Sequence, residues 1–152
     1  MTSFALEFGT IDGGDLGQGV VATLLFFLVG AAVLSLGFLA LDLLTPGNLR
    51  TQVYTHHRPN AVILLAANHL ALAVIVVTAI MTSSDSLGQG LVDSAVYGFV
   101  GVVLQAVALR VLDLVVPARL AELVDEPHLS AAAWAVAATL LAVGAVNAAA
   151  LS

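Results

Sequence analysis

The chain has 152 residues, of which 61% are hydrophobic and 9% are charged, and its mean hydropathy is +1.08. Soluble domains carry charge on about a quarter of their residues, so this composition excludes a soluble globular protein and predicts an integral membrane protein. Lysine and cysteine are both absent, which excludes disulfides, thiolate metal sites and Schiff-base chemistry. The net charge of −6, with only four basic side chains, leaves no basic surface for nucleic acid.

Four apolar segments follow a short polar tail. Residues 1–18 contain acidic but no basic side chains, unlike a signal peptide, and are predicted to form this tail. A helix needs about 20 apolar residues to cross the hydrocarbon core of a bilayer. The predicted fold is therefore all-α and polytopic, with four transmembrane helices at 19–44, 60–82, 90–116 and 127–151 and a connecting turn at 83–89.

The second pair of spans repeats the first pair. The pattern Leu-Asp-Leu-x-x-Pro closes the first span at 41–46 and the third span at 112–117, and the tetrapeptide Leu-Gly-Gln-Gly occurs at 16–19 and again at 87–90. A unit with an even number of spans must be inserted the same way each time it occurs. We therefore expect two helical hairpins, residues 19–82 and 90–151, that form parallel repeats instead of inverted ones.

The arginines predict the orientation of these hairpins. Arg50 and Arg58 lie in the loop of the first unit and Arg119 lies in the loop of the second, whereas the tail and the connecting turn have none. Cytoplasmic loops carry the excess of arginine in membrane proteins. Both termini are therefore predicted to lie outside the cytoplasm.

Two aspartates close the first and third spans. Asp42 and Asp113 lie about one turn from the helix ends, where the helix dipole disfavours a carboxylate, so each is expected to have a compensating partner. The available partners are Arg110 on the same helix, Arg50 and Arg58 in the loop, and Asn60 and His128 at the starts of the next spans. We interpret this set as a structural clamp, with a proton or cation site as the alternative.

Three polar side chains are predicted to lie deepest in the membrane. Asn68 and His69 fall near the middle of the second span, and Gln105 falls near the middle of the third. Either they form interhelical hydrogen bonds or they line a polar route. A haem- or quinone-binding subunit that uses His69 is a weaker interpretation, because haem b usually has two axial ligands and the sequence offers one deep histidine. No metal and no cofactor are predicted.

Small residues recur at four-residue spacing, which allows neighbouring helices to approach closely. These pairs are Ala31/Ser35, Ser94/Gly98, Ala133/Ala137, Ala138/Ala142 and Gly144/Ala148. The alanine-rich fourth span is therefore predicted to be an interface helix, either inside the monomer or between copies. No serine–histidine–acid set, glycine-rich phosphate loop or pair of deep carboxylates occurs, so no enzyme is predicted.

The repeated helix ends and the closing segment Gly-Ala-Val-Asn-Ala-Ala at 144–149 resemble a bacterial family of four-helix membrane proteins. It is known as domain-of-unknown-function family 350, and the resemblance covers residues 19–151. Members typically have a Gly-Asn pair at the start of spans two and four, where this chain has Pro59-Asn60 and Pro127-His128. The resemblance implies a multi-pass protein of the bacterial inner (plasma) membrane, and it implies no settled activity.

Two functions from different classes follow from these features. The first is a non-enzymatic homo-oligomer that serves as a scaffold or accessory subunit, with the lipid bilayer and a further membrane protein as its partners. The alternative is an ion or small-solute channel or carrier, with a polar route inside or between subunits. The residues predicted to line such a route are Asp42, Asp113, Arg110, Gln105, Asn68 and His69.

Overall fold

A computed structural model describes residues 13–45, 48–115 and 120–152, and within these residues the chain is helical and has no strand. The helices, in chain order, are α1 (Gly13–Leu44), α2 (Leu49–Tyr54), α3 (Pro59–Met81), α4 (Leu87–Val115), α5 (Leu120–Asp125) and α6 (Ala131–Ala149). Four of them are long and apolar enough to cross a membrane. The shortest, α6, has 19 residues, which gives about 28 Å at 1.5 Å per residue. The predicted all-α polytopic fold with four spans is confirmed.

The helix boundaries differ from the predicted ones at three places. α1 already begins at Gly13, with Asp15 in its first turn, where the helix dipole favours a carboxylate. Residues 13–18 are therefore helical, and the rest of the predicted polar tail lies outside the described residues. α4 begins at Leu87, inside the predicted turn. α6 begins at Ala131 instead of residue 127, because Ser130 is its N-cap and accepts a hydrogen bond from the Ala132 N–H at 3.3 Å.

The long helices form a bundle in which α3 and α4 pack against each other at the centre. Each of them also contacts both α1 and α6, which lie on opposite sides of this pair. α1 is the least buried of the long helices and α3 is the most buried. The most extensive pairings are α3 with α6 and α1 with α4.

Small residues permit this close packing. A Cβ atom at Gly144 of α6 would lie 2.6 Å from the Ala71 Cβ of α3, and one at Gly101 of α4 would lie 2.7 Å from Ile75. Among the predicted small-residue pairs, Ser94/Gly98, Ala133/Ala137 and Gly144/Ala148 are buried, whereas Ala138/Ala142 faces outward. Helices in a membrane associate through such van der Waals contacts, because lipid tails are as apolar as the helix surfaces.

The short helices α2 and α5 cover one end of the bundle, which we call the loop end. α2 buries Leu49 and Val53, and α5 buries Leu120, Leu123 and Val124. These side chains join a core cluster that also includes residues of all four long helices, among them Leu41 and Leu64. The loop end is therefore a packed part of the fold, although the sequence predicted it as polar loop.

Candidate functional site

The most completely bonded polar side chain in the described residues is Asn60, and the group formed by Asn60 and its partners is called the Asn60 clamp. Its Nδ2 donates to the carbonyl oxygens of Leu123 at 3.0 Å and His128 at 2.9 Å. Its Oδ1 accepts from the Ser130 N–H at 2.9 Å. The side chain is completely buried. One amide therefore ties the start of α3 to α5 and to the start of α6.

A second set of contacts surrounds the Asn60 clamp at the surface of the loop end. Asp125 of α5 accepts a hydrogen bond from the Gln52 side chain at 3.0 Å and lies 3.7 Å from the Arg58 guanidinium. His56 Nδ1 lies 3.2 Å from the Gln52 Oε1. Gln52 is buried, but His56 and Asp125 are exposed and Arg58 is partly exposed, so the Arg58–Asp125 ion pair contributes little to stability on its own. Together they join α2 to α5 across the two halves of the chain.

The two aspartates bind the short helices instead of the next long ones. Asp42 Oδ1 accepts from the Arg50 N–H at 3.2 Å, and Asp113 Oδ1 accepts from the Leu120 N–H at 3.0 Å. The first N–H groups of a helix have no partner within the helix, and its positive dipole end favours a carboxylate. Each aspartate therefore satisfies the start of the short helix that follows it. The Arg110 guanidinium also lies 3.8 Å from Asp113, as an exposed ion pair.

The structure corrects the roles predicted for Asn60 and His128 as donors to the aspartates. Asn60 bonds to the second half of the chain, and its partners lie on α5 and the loop after it. The His128 side chain is exposed, and it is the backbone carbonyl of this residue that accepts from Asn60. The prediction failed because α2 and α5 lie between each aspartate and the next long helix.

The deep polar side chains do not come together in one place. Asn68 is 1% exposed and its Nδ2 donates to the Gly37 carbonyl at 3.4 Å, between α3 and α1. Gln105 is 2% exposed and its Nε2 donates to the Leu140 carbonyl at 3.1 Å, between α4 and α6. The Gln105 Oε1 and the Ser94 Oγ are buried without a hydrogen-bond partner. Asn68 thus connects α3 to α1, and Gln105 connects α4 to α6. Both side chains are almost fully buried.

His69 faces a different environment, an open groove of about 660 Å³ on the side of the bundle, which we call the lateral groove. Its lining residues are Leu34, Ser35, Phe38 and Leu39 of α1, Arg50 and Tyr54 of α2, and His69 of α3. The imidazole ring lies 6.2 Å from the Phe38 ring, measured between centroids, with 57° between the ring planes. Its Nδ1 lies 3.0 Å from the Leu65 carbonyl. The sequence analysis did not identify Arg50 and Tyr54 as neighbours of His69.

The described residues, 13–45, 48–115 and 120–152, do not gather three metal-ligating side chains at any point. The buried amides of Asn60, Asn68 and Gln105 join neighbouring helices. The fold and these interior contacts define an all-helical, polytopic membrane protein.

The comparisons with known proteins agree with this class. The family model described as Domain of Unknown Function (DUF350) matches residues 15–151. The chain belongs to this family, as its sequence predicted. It is 53% identical to a UPF0719 transmembrane protein of Mycobacterium bovis, over all of both chains. It is 52% identical to a UPF0719 transmembrane protein of Mycolicibacterium paratuberculosis, over 97% of this chain and 98% of the relative. No solved structure is a significant match.

Proposed function

We propose that the chain is a non-enzymatic scaffold or accessory subunit of the bacterial inner membrane, and that it works as a homo-oligomer. The observation that supports this proposal most directly is the outward face of α6. Six alanines at alternating spacings of four and three residues are exposed along this face: Ala131, Ala135, Ala138, Ala142, Ala145 and Ala149. Such a face has little bulk to pack against lipid and lets a second helix approach closely.

The polar side chains of the interior favour the scaffold function over the function of a pore that runs through one subunit. Asn60 and Asn68 use their amides to hold neighbouring helices, and Gln105 does so with its Nε2. A conducting route needs polar groups that face a shared, hydrated space. The two deep amides, Asn68 and Gln105, are at most 2% exposed. Their bonds fit a rigid bundle better than a water-filled one.

Cysteine cross-linking tests the homo-oligomer directly, because the chain has no cysteine of its own. We expect Ala138→Cys, in membranes treated with a mild oxidant, to form a disulfide-linked dimer. Val103→Cys is the matched control, because Val103 is exposed on α4, away from the alanine face. Equal cross-linking at both positions, or none at residue 138 and none at Ala142→Cys, would contradict an α6 interface.

A channel or carrier with its polar route between subunits is the second candidate. It is favoured by the outward position of His69 and Arg50, which line the lateral groove. Ion flux through purified protein in liposomes, with and without a pH gradient, separates the two functions. Flux that is lost with His69→Ala supports the route between subunits. Sealed liposomes that contain a defined oligomer support the scaffold.

The arrangement of the units and their orientation belong to the same proposal. Both halves have a long, a short and a long helix in that order, which supports two parallel units derived from one duplicated hairpin. Arg50 and Arg58 lie at the loop end, so we place this end in the cytoplasm and both termini outside. Reporter enzymes that are active only outside the cytoplasm, fused at each terminus, should both be active.

A further inference from the structure

The two ends of the lateral groove differ in the hydrogen-bonding groups that they offer to a ligand. His69 and Ser35 lie in the interior of α3 and α1, and we call their part of the groove the deep end. Arg50 and Tyr54 belong to α2 at the loop end, and we call their part the surface end. The volume of about 660 Å³ is within the range of about 300–1,000 Å³ found for small-molecule sites. Apolar and aromatic side chains of α1 form the wall between the two ends.

The deep end of the groove offers only acceptors. A carbonyl oxygen can only accept a hydrogen bond, so the 3.0 Å contact with Leu65 places the proton of a neutral His69 on Nδ1. Nε2 then presents a lone pair. The Ser35 hydroxyl already donates to the Ala31 carbonyl at 2.7 Å, which leaves its oxygen lone pairs. Hydrocarbon chains have no O–H or N–H to give to these groups.

The surface end of the groove carries the cation Arg50, which has no ion-pair partner in the part of the chain that the structure describes. Arg58 and Arg110 have carboxylates at 3.7 Å and 3.8 Å, respectively. The side chain of Arg50 has no carboxylate within 4.0 Å among the described residues, and only its backbone N–H bonds to Asp42. A guanidinium has five N–H donors and no acceptor. Arg50 can therefore bind an oxygen of a ligand in the groove.

We propose that the lateral groove binds a membrane quinol. A quinol is a flat ring with hydroxyl groups on opposite sides and an apolar tail. One hydroxyl donates to His69 Nε2, the oxygen on the other side accepts from Arg50, and the ring packs against Phe38 and Leu39. The tail leaves through the open side of the groove into the lipid. This site goes beyond the scaffold function and does not depend on the oligomeric state.

An anionic phospholipid matches the groove less well. Its phosphate would suit Arg50, but its ester oxygens are acceptors, its acyl chains cannot hydrogen-bond, and any headgroup hydroxyls lie beyond the phosphate, on the water side of Arg50 and away from His69. It would leave the His69 lone pair in hydrocarbon without a donor, and an unmatched polar group is costly there. The requirement for a donor at the depth of His69 therefore separates a quinol from a phospholipid.

The binding of decylubiquinol and decylubiquinone to the full chain tests this proposal. Both are measured by anaerobic calorimetry in phosphatidylcholine nanodiscs. The two molecules share ring and tail, but only the quinol has hydrogens to donate. We expect the quinol to bind about tenfold more tightly than the quinone, because the quinol makes one hydrogen bond that the quinone cannot make. Equal affinities, or no binding of either molecule, would overturn the proposal.

Amino-acid substitutions test whether the quinol binds in the lateral groove. His69→Phe should abolish the preference for the quinol, and Arg50→Leu should weaken both molecules alike, since both have ring oxygens. His128→Phe is the matched control, because this side chain is exposed and does not line the groove, and the variant should bind as the unaltered chain does. A preference that survives His69→Phe would overturn the proposal.

A measurement on the unaltered chain covers the case in which His69→Phe does not fold. The ¹⁵N resonance of His69 Nε2 should shift on addition of decylubiquinol and should not shift on addition of decylubiquinone. Phosphatidylglycerol provides the phospholipid comparison. If it displaces the quinol while the His69 resonance stays unchanged throughout, the groove is a lipid headgroup site and the proposal is wrong.

Discussion

Replacement of Asn60 by alanine is the sharpest test of how the two halves of the chain are held together. The substitution removes the donor to the Leu123 and His128 carbonyls and the acceptor for the Ser130 N–H. These three backbone groups would then lack their partner at the loop end. Because Asn60 is 0% exposed, no water is in place beforehand to take over the bonds.

The expected loss follows from these three bonds. A hydrogen bond contributes about 0.5–1.5 kcal/mol in proteins, and those between membrane helices average about 0.6 kcal/mol, so three give about 2 kcal/mol at the membrane average and at most about 4.5 kcal/mol. The bonds to His128 and Ser130 are only partly buried, and water that reaches those groups in the variant keeps the loss near the lower value. Asn60→Asp should lose at least as much, because a carboxylate would face two carbonyl oxygens.

Reversible unfolding by sodium dodecyl sulfate in mixed micelles, followed by circular dichroism, measures this loss. Gln89→Ala is the matched control, because Gln89 is an exposed amide with one bond to Asp93, at 2.7 Å. We expect it to change the free energy of unfolding by less than about 0.5 kcal/mol. If Asn60→Ala costs no more than Gln89→Ala, the Asn60 clamp does not hold the halves together.

Three further substitutions test other contacts by the same titration. Gly144→Ala places a methyl group 2.6 Å from the Ala71 Cβ, so α3 and α6 must separate at a cost of about 1–3 kcal/mol, whereas Gly88→Ala, with nothing within 4 Å, should cost nothing. Equal stability of these two variants would contradict the close approach. Asp113→Leu should cost about 1–2 kcal/mol because it leaves the Leu120 N–H without an acceptor, whereas loss of the exposed Arg110 partner should cost less than about 1 kcal/mol. The reverse order would show that the ion pair dominates. Gln105→Leu removes a buried oxygen without a partner together with the Leu140 bond, so stability should change by less than about 1 kcal/mol in either direction. A larger loss would mean that the Gln105 side chain is better bonded than its contacts indicate.

The sequence predicted the four spans because membrane insertion depends on the length and hydropathy of single segments, which are local properties. It also pointed to Asp42 and Asp113 as residues that need a partner at a helix end. It named Arg110, whose guanidinium lies 3.8 Å from Asp113, but it did not find the backbone N–H groups of Arg50 and Leu120 as partners. These groups belong to α2 and α5, which have only six residues each, too few for a helical period to be recognised.

The sequence could not predict what surrounds the polar residues in the middle of the spans. α3 is apolar on every side, so its sequence does not reveal which face meets lipid and which meets another helix. Asn68 and His69 are neighbours in the chain, yet one is enclosed against Gly37 and the other lines the lateral groove with Arg50. This difference depends on where α1 and α2 pack, which is a tertiary property.

The Asn60 clamp also has a consequence for biosynthesis. Asn60 leaves the ribosome and enters the membrane with α3, but the groups it bonds, at residues 123, 128 and 130, are synthesised only after α4. The first hairpin is therefore inserted with an unsatisfied amide at its end, and it cannot reach its final state until translation has passed Ser130. A chain truncated before this point lacks the contacts that tie the start of α3 to α5 and α6.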